Sequence, residues 1–469
     1  MGGLLNTLEI ASSSLLASRA GLETAGVNIS NVNNPGFARQ RIIVEPRKDP
    51  TGAGAGVEVV GVKSLRDAIL DDQLIRESSN MSYLQNLQRT LQIGQVLVGQ
   101  QIDRQTATPE ADSAARNLGG QMAIANGLSE FYNALQAVSV NPGSTVDRRV
   151  LLLKAQQLAE KFNAVQQRFE TMRKDLGSDI ENRVDQANKL IELTARVGRD
   201  YTALSEKGAG VLKDTLQTRL EELAGFASVQ VSYDELNRMS LSISGMEVIH
   251  ENKAVGNLKV ILDDKGQTTV SVTNSDTGAE TRLAGQGSLR GLIDARDTAI
   301  RDLQDGIDQL ATNLMQGMNA THKAGFGLDG STGLDFFTGR GASDIAVNKS
   351  LVDDVRKIQL SESTAQGDNT VALNLVNWLE SPQADLGKLT LSQRYNDIVA
   401  TYGQELSNVN NRLSDQDIIN HTLTQQRASV SGVSLDEEMS SMIQYQRAYQ
   451  STAKLISTID ELFQTMLTM

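Results

Sequence analysis

The sequence has few residues of the types that carry metal or nucleophilic chemistry. It contains three histidines, His250, His322 and His421, and no cysteine. No HExxH pattern occurs, no two histidines have metal-ligand spacing, and no Gly-x-Ser-x-Gly segment sets a serine against a base. We therefore interpret the histidines as surface or turn residues, and we expect no metal site.

Other patterns that could suggest chemistry have simpler interpretations. The segment TGAGAG at 51–56 lacks the Gly-Lys-Ser/Thr ending of a phosphate loop and precedes a β-like run, so we interpret it as a turn. Asp329 and Asp335 lack the ligand alternation of a calcium loop and are interpreted as turn residues. Acidic pairs such as Glu221 with Glu222 fit solvated helix faces. We expect no enzyme activity and no cofactor.

Composition and charge exclude further classes of function. The 469 residues are enough for about three domains. The net charge of −13 argues against binding to nucleic acid or anionic lipid. No apolar run approaches the roughly 18 residues that span a bilayer, so no membrane insertion is expected. The spaced leucines and the acidic Glu9 predict a start without a cleaved signal peptide.

The first thirty residues predict an amphipathic helix. Mostly apolar or small residues recur at steps of three and four, which is the spacing of one helix face. We call this face the N-terminal seam, and its positions are Leu4, Leu8, Ala11, Leu15, Ser18, Leu22, Ala25 and Ile29.

A turn motif ends this helix. Asparagine side chains compete for backbone hydrogen bonds, proline disfavours helix at the residue before it, and glycine permits a turn. The motif consists of Asn31, Asn34, Pro35, Gly36 and Phe37. The runs on either side of the TGAGAG turn that follows predict a hairpin.

The last segment predicts a second long helix. Gly432 precedes it, and Ser434 with Glu437 forms a capping-box pattern at its start. Apolar residues again recur at three and four, and we call them the C-terminal seam. Its positions are Leu435, Met442, Tyr445, Tyr449, Thr452, Ile456, Ile459, Phe463 and Met466.

The middle of the chain contains two kinds of sequence pattern, one helical and one β-like. Helical spacing predicts helices from about 64 to 97, 118 to 138, 145 to 223, 288 to 322, 370 to 379 and 391 to 430. Between 225 and 287, β-branched residues alternate between turn signals. The predicted fold is therefore mainly α, a long-helix bundle with coiled-coil terminal helices and a small β-rich insertion domain.

This pattern predicts three domains, each defined by sequence position. Residues 1–35 with 433–469 form a terminal coiled-coil domain, 36–224 with 288–432 form a helical body, and 225–287 form a β-rich outer insertion. The two terminal helices are expected to pack on each other. Their small residues bury little area, so we expect both ends to be loose in an isolated subunit and to fold on assembly.

The residues at both ends resemble the axial proteins of the bacterial flagellum. NISNVNNPGFARQ at 28–40 is similar to their N-terminal signature, and SGVSLDEEMSSMIQYQRAYQSTAKLISTIDELFQTML at 431–467 is similar to their C-terminal one. EFYNALQAVSVNPGSTVD from Glu130 and GSLRGLIDARD at 287–297 resemble the FlgK-type hook-associated proteins within that family. Asn34 stands where many family members have threonine.

The resemblance implies a structural subunit of the flagellum that forms the hook-filament junction. Such a subunit is secreted by type III export and self-associates in an axial layer, with the hook protein and a second hook-filament junction protein as partners. It also implies that a FlgN-type export chaperone holds the C-terminal seam. In this interpretation the two seams are the assembly surfaces and the turn motif separates the first helix.

Other functions are weighed against this one. A hook or distal rod axial subunit would share the two ends, but the long-helix body argues against it. An enzyme carried in the insertion is disfavoured because that segment is short and has one histidine, His250. A coiled-coil sensor or adhesin would need a membrane anchor, which the sequence does not predict.

Overall fold

The structure is a computed structural model that describes residues 2–34, 36–47, 56–97, 124–203, 209–262, 268–363, 365 and 367–468. Long helices dominate it because apolar residues recur at helical spacing through most of the sequence. The α-helices are α1 (Gly2–Ser30), α2 (Ala68–Leu97), α3 (Ile124–Val140), α4 (Thr145–Ala203), α5 (Ala209–Phe226), α6 (Ser288–Asp294), α7 (Ile300–Lys323), α8 (Lys349–Asp353), α9 (Thr370–Glu380), α10 (Leu391–Ser431) and α11 (Leu435–Thr468).

Short helical turns of other types join some of these helices. A π-helical turn, Ala295–Ala299, lies between α6 and α7. Turns of 3₁₀ helix span Val355–Lys357 and Ala384–Leu386. None of the helices in the described ranges is long and apolar enough to cross a membrane.

The helix and strand predictions are confirmed closely. Helix α4 begins at Thr145 because the Ser144 hydroxyl accepts a hydrogen bond from the Asp147 N–H at 3.2 Å. Helix α11 begins three residues after Gly432, as the sequence predicts. The predicted start of the second stretch, at 118, lies outside the described residues.

The predicted hairpin consists of β1 (Gln40–Pro46) and β2 (Val57–Ser64), which pair antiparallel with a bulge between Ile43 and Val44. Most of its TGAGAG tip lies outside the described residues.

The β-rich insertion forms two antiparallel sheets. Its strands are β3 (Val229–Tyr233), β4 (Met239–Ile243), β5 (Met246–His250), β6 (Lys253–Ala254), β7 (Gly256–Leu262), β8 (Thr268–Asn274) and β9 (Glu280–Arg282). The first four pair in chain order, and so do the last three. A further short pair, β10 (Phe337–Thr338) with β11 (Ala346–Val347), lies after α7.

The chain divides into two compact units. One consists of Met1–Tyr83, Asn182–Arg290 and Ser414–Met469, and the other of Leu84–Glu181 and Gly291–Leu413. The first unit contains both terminal helices, the hairpin and the β-rich insertion. The partition predicted from sequence, which separates terminal, body and insertion domains, stays a prediction.

The second unit has an aromatic core. The ring centroid of Phe131 lies 6.0 Å from that of Phe336 and 5.9 Å from that of Phe337. His322 meets Phe336 edge to face at 5.3 Å. The expectation of surface or turn histidines is therefore wrong for His322, which is fully buried.

The imidazole of His322 is satisfied in its neutral form. Its Nδ1 lies 2.7 Å from the Leu334 carbonyl, and its Nε2 accepts a hydrogen bond from the Gln359 N–H at 3.0 Å. Burial lowers its pKa to about 4, although the Leu334 carbonyl acts in the opposite direction. Sequence periodicity misses this role because both hydrogen-bond partners come from later segments.

We expect the second unit to lose stability as pH falls from about 6.5 to about 4. Because the pKa of His322 is lower in the folded chain, the unfolded chain binds more protons in this window. The loss approaches about 3 kcal/mol at the acidic end. The loss can be measured as a fall in the midpoint of thermal unfolding, followed by the fluorescence of Trp378. Trp378 is the single tryptophan and packs on Gly317 within this unit.

His322→Gln keeps a donor and an acceptor but removes the titration, so its midpoint should fall less over this window. His421→Gln, at an exposed position, is the control and should behave as the parent chain does. Equal pH dependence in all three proteins would show that protonation of His322 does not limit stability.

Candidate functional site

The terminal helices pack against each other in antiparallel directions. Near the end of α1, the Asn28 amide donates a hydrogen bond to the Glu438 carboxylate at 2.9 Å. Two helical turns earlier on α1, Gly21 faces Tyr445, which lies two turns further along α11. From the first contact to the second, the position moves back seven residues on α1 and forward seven residues on α11. These two contacts define the antiparallel register of the pair.

Small residues form the centre of the α1 face that contacts α11. A β-carbon placed on Gly21 would lie 2.5 Å from the Tyr445 ring, so the aromatic side chain occupies the space that the glycine leaves. The buried residues of α1 are Ala11, Ala17, Ser18, Gly21, Thr24, Ala25 and Asn28. The close approach of the two helices therefore depends on small side chains.

The predicted N-terminal seam overlaps this face in part. Its five large apolar residues are all half-buried, namely Leu4, Leu8, Leu15, Leu22 and Ile29. The small seam positions Ala11, Ser18 and Ala25 are buried. The predicted seam therefore includes three of the seven buried positions of α1, and it misses Ala17, Gly21, Thr24 and Asn28.

The predicted C-terminal seam divides by burial. Ile459 is buried, and Met442, Tyr445, Ile456 and Phe463 are half-buried. The predicted residues Leu435, Tyr449 and Met466 are exposed in the single chain, and Thr452 is half-buried. Further apolar residues of α11 are exposed as well, namely Met439, Ile443, Leu455 and Leu462.

The turn motif forms a compact reversal after α1. The Asn34 side chain accepts a hydrogen bond from the Gly36 N–H at 3.2 Å, and the Asn34 carbonyl accepts one from the Phe37 N–H at 3.1 Å. The Asn31 amide donates back to the Val27 carbonyl. Phe37 is buried, while Pro35 lies outside the described residues.

A buried polar cluster joins the two helices to the chain after the turn. We call Asn28, Arg39, Gln40 and Glu438 the terminal joint. Asn28 accepts a hydrogen bond from the Gln40 N–H and donates to the Gln40 carbonyl, both at 2.9 Å. Arg39 Nε donates to the Glu438 carboxylate at 2.7 Å. The carboxylate is thus held between an amide and a guanidinium.

The charge in this joint is compensated. The Glu438 side chain is only 4% exposed, and Arg39 also pairs with Glu437, which is 63% exposed, at 2.6 Å. Burial lowers the pKa of Arg39, but the two glutamates outweigh that effect and the net pKa is raised. The joint is therefore an ion pair, buried at the Glu438 carboxylate and completed by hydrogen bonds.

A second ion-pair cluster fixes the other side of the turn. Arg66 Nη2 donates to the Gly36 carbonyl at 2.6 Å, and its Nε donates to Asp214 at 2.9 Å. Asp214 accepts the Ala38 N–H at 3.1 Å, and Arg66 also pairs with Asp71. This cluster holds the turn against α2 and α5. Burial lowers the pKa of Arg66, but the carboxylates of Asp214 and Asp71 outweigh that effect, so the net pKa is raised.

Sequence reasoning missed the terminal joint and this cluster. The Asn28 and Glu438 partners are 410 residues apart, and the Ala38 and Asp214 partners are 176 apart. The one local signal was Asn28, a polar residue at the edge of an apolar helix face. Within the described residues, no group of three or more histidine, aspartate or glutamate side chains could hold a metal ion.

Replacement of Gly21 by alanine should loosen α11, whereas the same change at Gly26 should not. At Gly21 the new methyl group overlaps the Tyr445 ring, but at Gly26 nothing lies within 4 Å. Gly26→Ala should stabilise α1 by up to about 1 kcal/mol, because alanine favours helix. Amide hydrogen exchange of residues 439–459 measures the effect. Faster exchange in both variants, or in neither, would contradict the predicted contact.

Glu438→Gln should release α11 more readily than Glu437→Gln. The first change weakens a buried charge-assisted hydrogen bond, which costs about 1–3 kcal/mol, while the second removes an exposed pair worth at most about 1 kcal/mol. Tryptic cleavage at Arg447 and Lys454 reports the opening of α11. About tenfold faster cleavage is expected for Glu438→Gln. Equal rates in the two variants would mean that the joint does not hold the helix.

Two family models match parts of the chain. The flagellar hook-associated protein FlgK helical domain matches residues 115–337, and the flagellar basal body rod FlgEFG protein C-terminal family matches residues 424–469. The second match contains all of α11 and the Glu438 side of the terminal joint.

Relatives match along their whole length. The chain is 25% identical to flagellar hook-associated protein 1 of Bacillus subtilis (strain 168), with 97% of this chain and 96% of the relative covered. It is 23% identical to the protein of the same name from Escherichia coli (strain K12), with complete coverage of both.

A solved structure shares the fold. The flagellar hook junction protein FlgK from Burkholderia pseudomallei superposes with a TM-score of 0.64 at 14% identity, covering 77% of this chain and 100% of that one. Two family models, relatives that match along their full length and a shared fold together relate the chain to the FlgK-type hook-associated proteins of the bacterial flagellum.

Proposed function

We propose that the chain is a structural subunit of the bacterial flagellum that forms the hook-filament junction. The relatives that match along their full length carry the name hook-associated protein 1, and the solved neighbour is described as a hook junction protein. The exposed apolar side of α11 is the feature of this chain that carries the proposal. A 34-residue helix with that surface needs partners outside the single chain.

Those partners are other axial subunits in this proposal. Identical copies pack around the axis through the two seams, while the hook protein lies on one side of the layer and a second junction protein on the other. The terminal joint holds α1 and α11 together as one packing element. The turn motif is the point at which this element leaves the helical body, where Arg66 and Asp214 hold the chain, so the element packs on its neighbours while the body keeps its own core.

The route to the flagellum forms part of the same proposal. The chain is secreted through the flagellar type III channel without a cleaved signal peptide, and a FlgN-type chaperone holds α11 before export. The exposed residues of α11, including Leu435 and Met439, support a helix that changes partners. The role is one of packing, with no catalysis.

Electron microscopy of cells that lack the gene tests this function. We expect hooks without filaments, together with filament protein lost to the culture medium. Missing hooks would instead favour a hook or distal rod subunit, and normal filaments would contradict an axial role.

Complementation of the same cells tests the seams. Leu15→Asp and Ile456→Asp place a charge on the packed faces of α1 and α11, where burying it unpaired costs several kcal/mol. Both variants should leave the helical body folded by circular dichroism and fail to restore motility. Ser12→Asp and Ser457→Asp, at exposed positions of the same helices, serve as controls and should restore it. Motility in all four strains would contradict the seam assignment.

A further inference from the structure

An open cavity lies in the first compact unit, between α2, α5 and strand β3. Its volume is about 520 Å³. Its floor is apolar, because Ile75, Leu216 and Leu220 line it and are buried. Its rim is apolar as well, since Ile69 is 70% exposed and Tyr233 is also exposed. We call this cavity the α2–α5 groove.

One charge at the edge of the groove has no counter-ion. The Arg66 guanidinium pairs with Asp71 at 3.2 Å. Arg76, which also lines the groove, pairs with Asp72. The exposed Lys213 ammonium forms no ion pair or hydrogen bond within the described part of the chain. An apolar floor with a free cation at its edge suits an apolar side chain that has a carboxylate nearby.

Helix α10 presents such side chains on an uncovered face. Ile418 is 64% exposed, and Ile419 is exposed as well. Asp415 is exposed, and none of the described residues pairs with it. At about 3.6 residues per turn, these side chains and that of Thr422 lie within about 100° of one another around the helix. We call Asp415, Ile418, Ile419 and Thr422 the α10 stripe.

The groove and the stripe are separate surfaces at the same level of the first unit. On α2, the residues Ile69, Asp72 and Arg76 line the groove. The next residue, Glu77, accepts a hydrogen bond from the Gln416 amide of α10 at 2.6 Å. About 100° of helix rotation separates Glu77 from Arg76, so α10 packs on a different side of α2 from the groove.

Complementary surfaces on different sides of one unit can join identical copies. The groove offers an apolar floor and a free cation, and the stripe supplies two isoleucines and a free carboxylate. A contact between different surfaces is heterologous, so it repeats from copy to copy and builds a ring or a helical layer. Four side chains bury far less than the roughly 1,200 Å² of a stable pair, so the contact needs the many neighbours of a layer to persist.

We propose that the α10 stripe of one copy docks in the α2–α5 groove of the next copy. Ile418 and Ile419 then lie against the apolar floor, and Asp415 lies beside Lys213. All of these residues are outside α1 and α11, so the contact joins neighbouring copies without the terminal seams. The partner, a second copy in a layer, rests on the proposed function.

Cysteine crosslinking tests the contact, because the chain has no cysteine of its own. Ile69→Cys, in the groove, and Ile418→Cys, in the stripe, are expressed together in cells that lack the gene, and their isolated flagella are oxidised. A disulfide-linked dimer of the chain should be at least tenfold more abundant than with either variant alone. Asp417→Cys, exposed on the opposite side of α10, replaces Ile418→Cys as the control and should give no dimer.

Three results would overturn the proposal. The first is the absence of a mixed dimer in flagella that carry both variants, or an equal yield with Asp417→Cys. The second is a dimer with Ile418→Cys alone, because it indicates a symmetric contact. The third comes from a photo-crosslinker attached to Ile69→Cys, which should label α10 of this chain. Labelling of a hook or filament subunit instead would assign the groove to another occupant.

Charge reversal tests the ion pair between the copies. Lys213→Glu and Asp415→Lys each place like charges together, so filaments should detach under shear about twofold to fivefold faster. The two changes combined should restore the parent rate. Asp417→Lys makes the same charge change outside the stripe and should leave the rate unchanged. Additive loss in the double variant, or an equal effect of Asp417→Lys, would reject the docking of Asp415 beside Lys213.

These outcomes are separate from the proposed function. Filaments restored by the two cysteine variants without a mixed dimer would leave the function intact and reject the contact. If cells without the gene make normal filaments, the function fails, and the two purified variants mixed at millimolar concentration decide the contact. A mixed dimer then supports it, and no dimer rejects it.

Discussion

The buried carboxylate of Glu438 is the interaction on which the terminal part of this chain depends. A carboxylate in a nearly dry site needs a compensating charge and hydrogen bonds, and Arg39 and Asn28 supply them. Arg39 and Gln40 lie where the chain enters the hairpin, Asn28 lies in the last turn of α1, and Glu438 lies in the first turn of α11. One satisfied charge therefore fixes the start or end of three elements at a single point.

Such a point is needed because the rest of the α1–α11 contact specifies its alignment weakly. The buried positions of α1 are glycine, alanine, serine and threonine apart from Asn28, and small side chains form few interlocking knobs. The terminal joint and the fit of Tyr445 over Gly21 lie two helical turns apart and set the same register. Buried polar groups commonly specify register in paired helices, and this geometry extends that role to an antiparallel pair.

The sequence predicted most of the elements and less of the contacts. Long periodic segments such as α4 and α11 were predicted because packing and periodicity agree along their whole length. The large residues of the N-terminal seam are half-buried, but the centre of the contact is at Gly21 and its small neighbours, which hydropathy does not register. Asn28 with Glu438, and His322 with Gln359, are tertiary pairs that no local pattern reveals.

The same small residues limit the apolar area that the two terminal helices bury against each other. Side chains of low volume let α11 approach α1 closely but give it little apolar area to bury, so each turn of α11 contributes little. The exposed apolar residues of α11 then lower its stability only in the isolated chain, because a neighbouring surface that covers them converts the same residues into a source of binding energy.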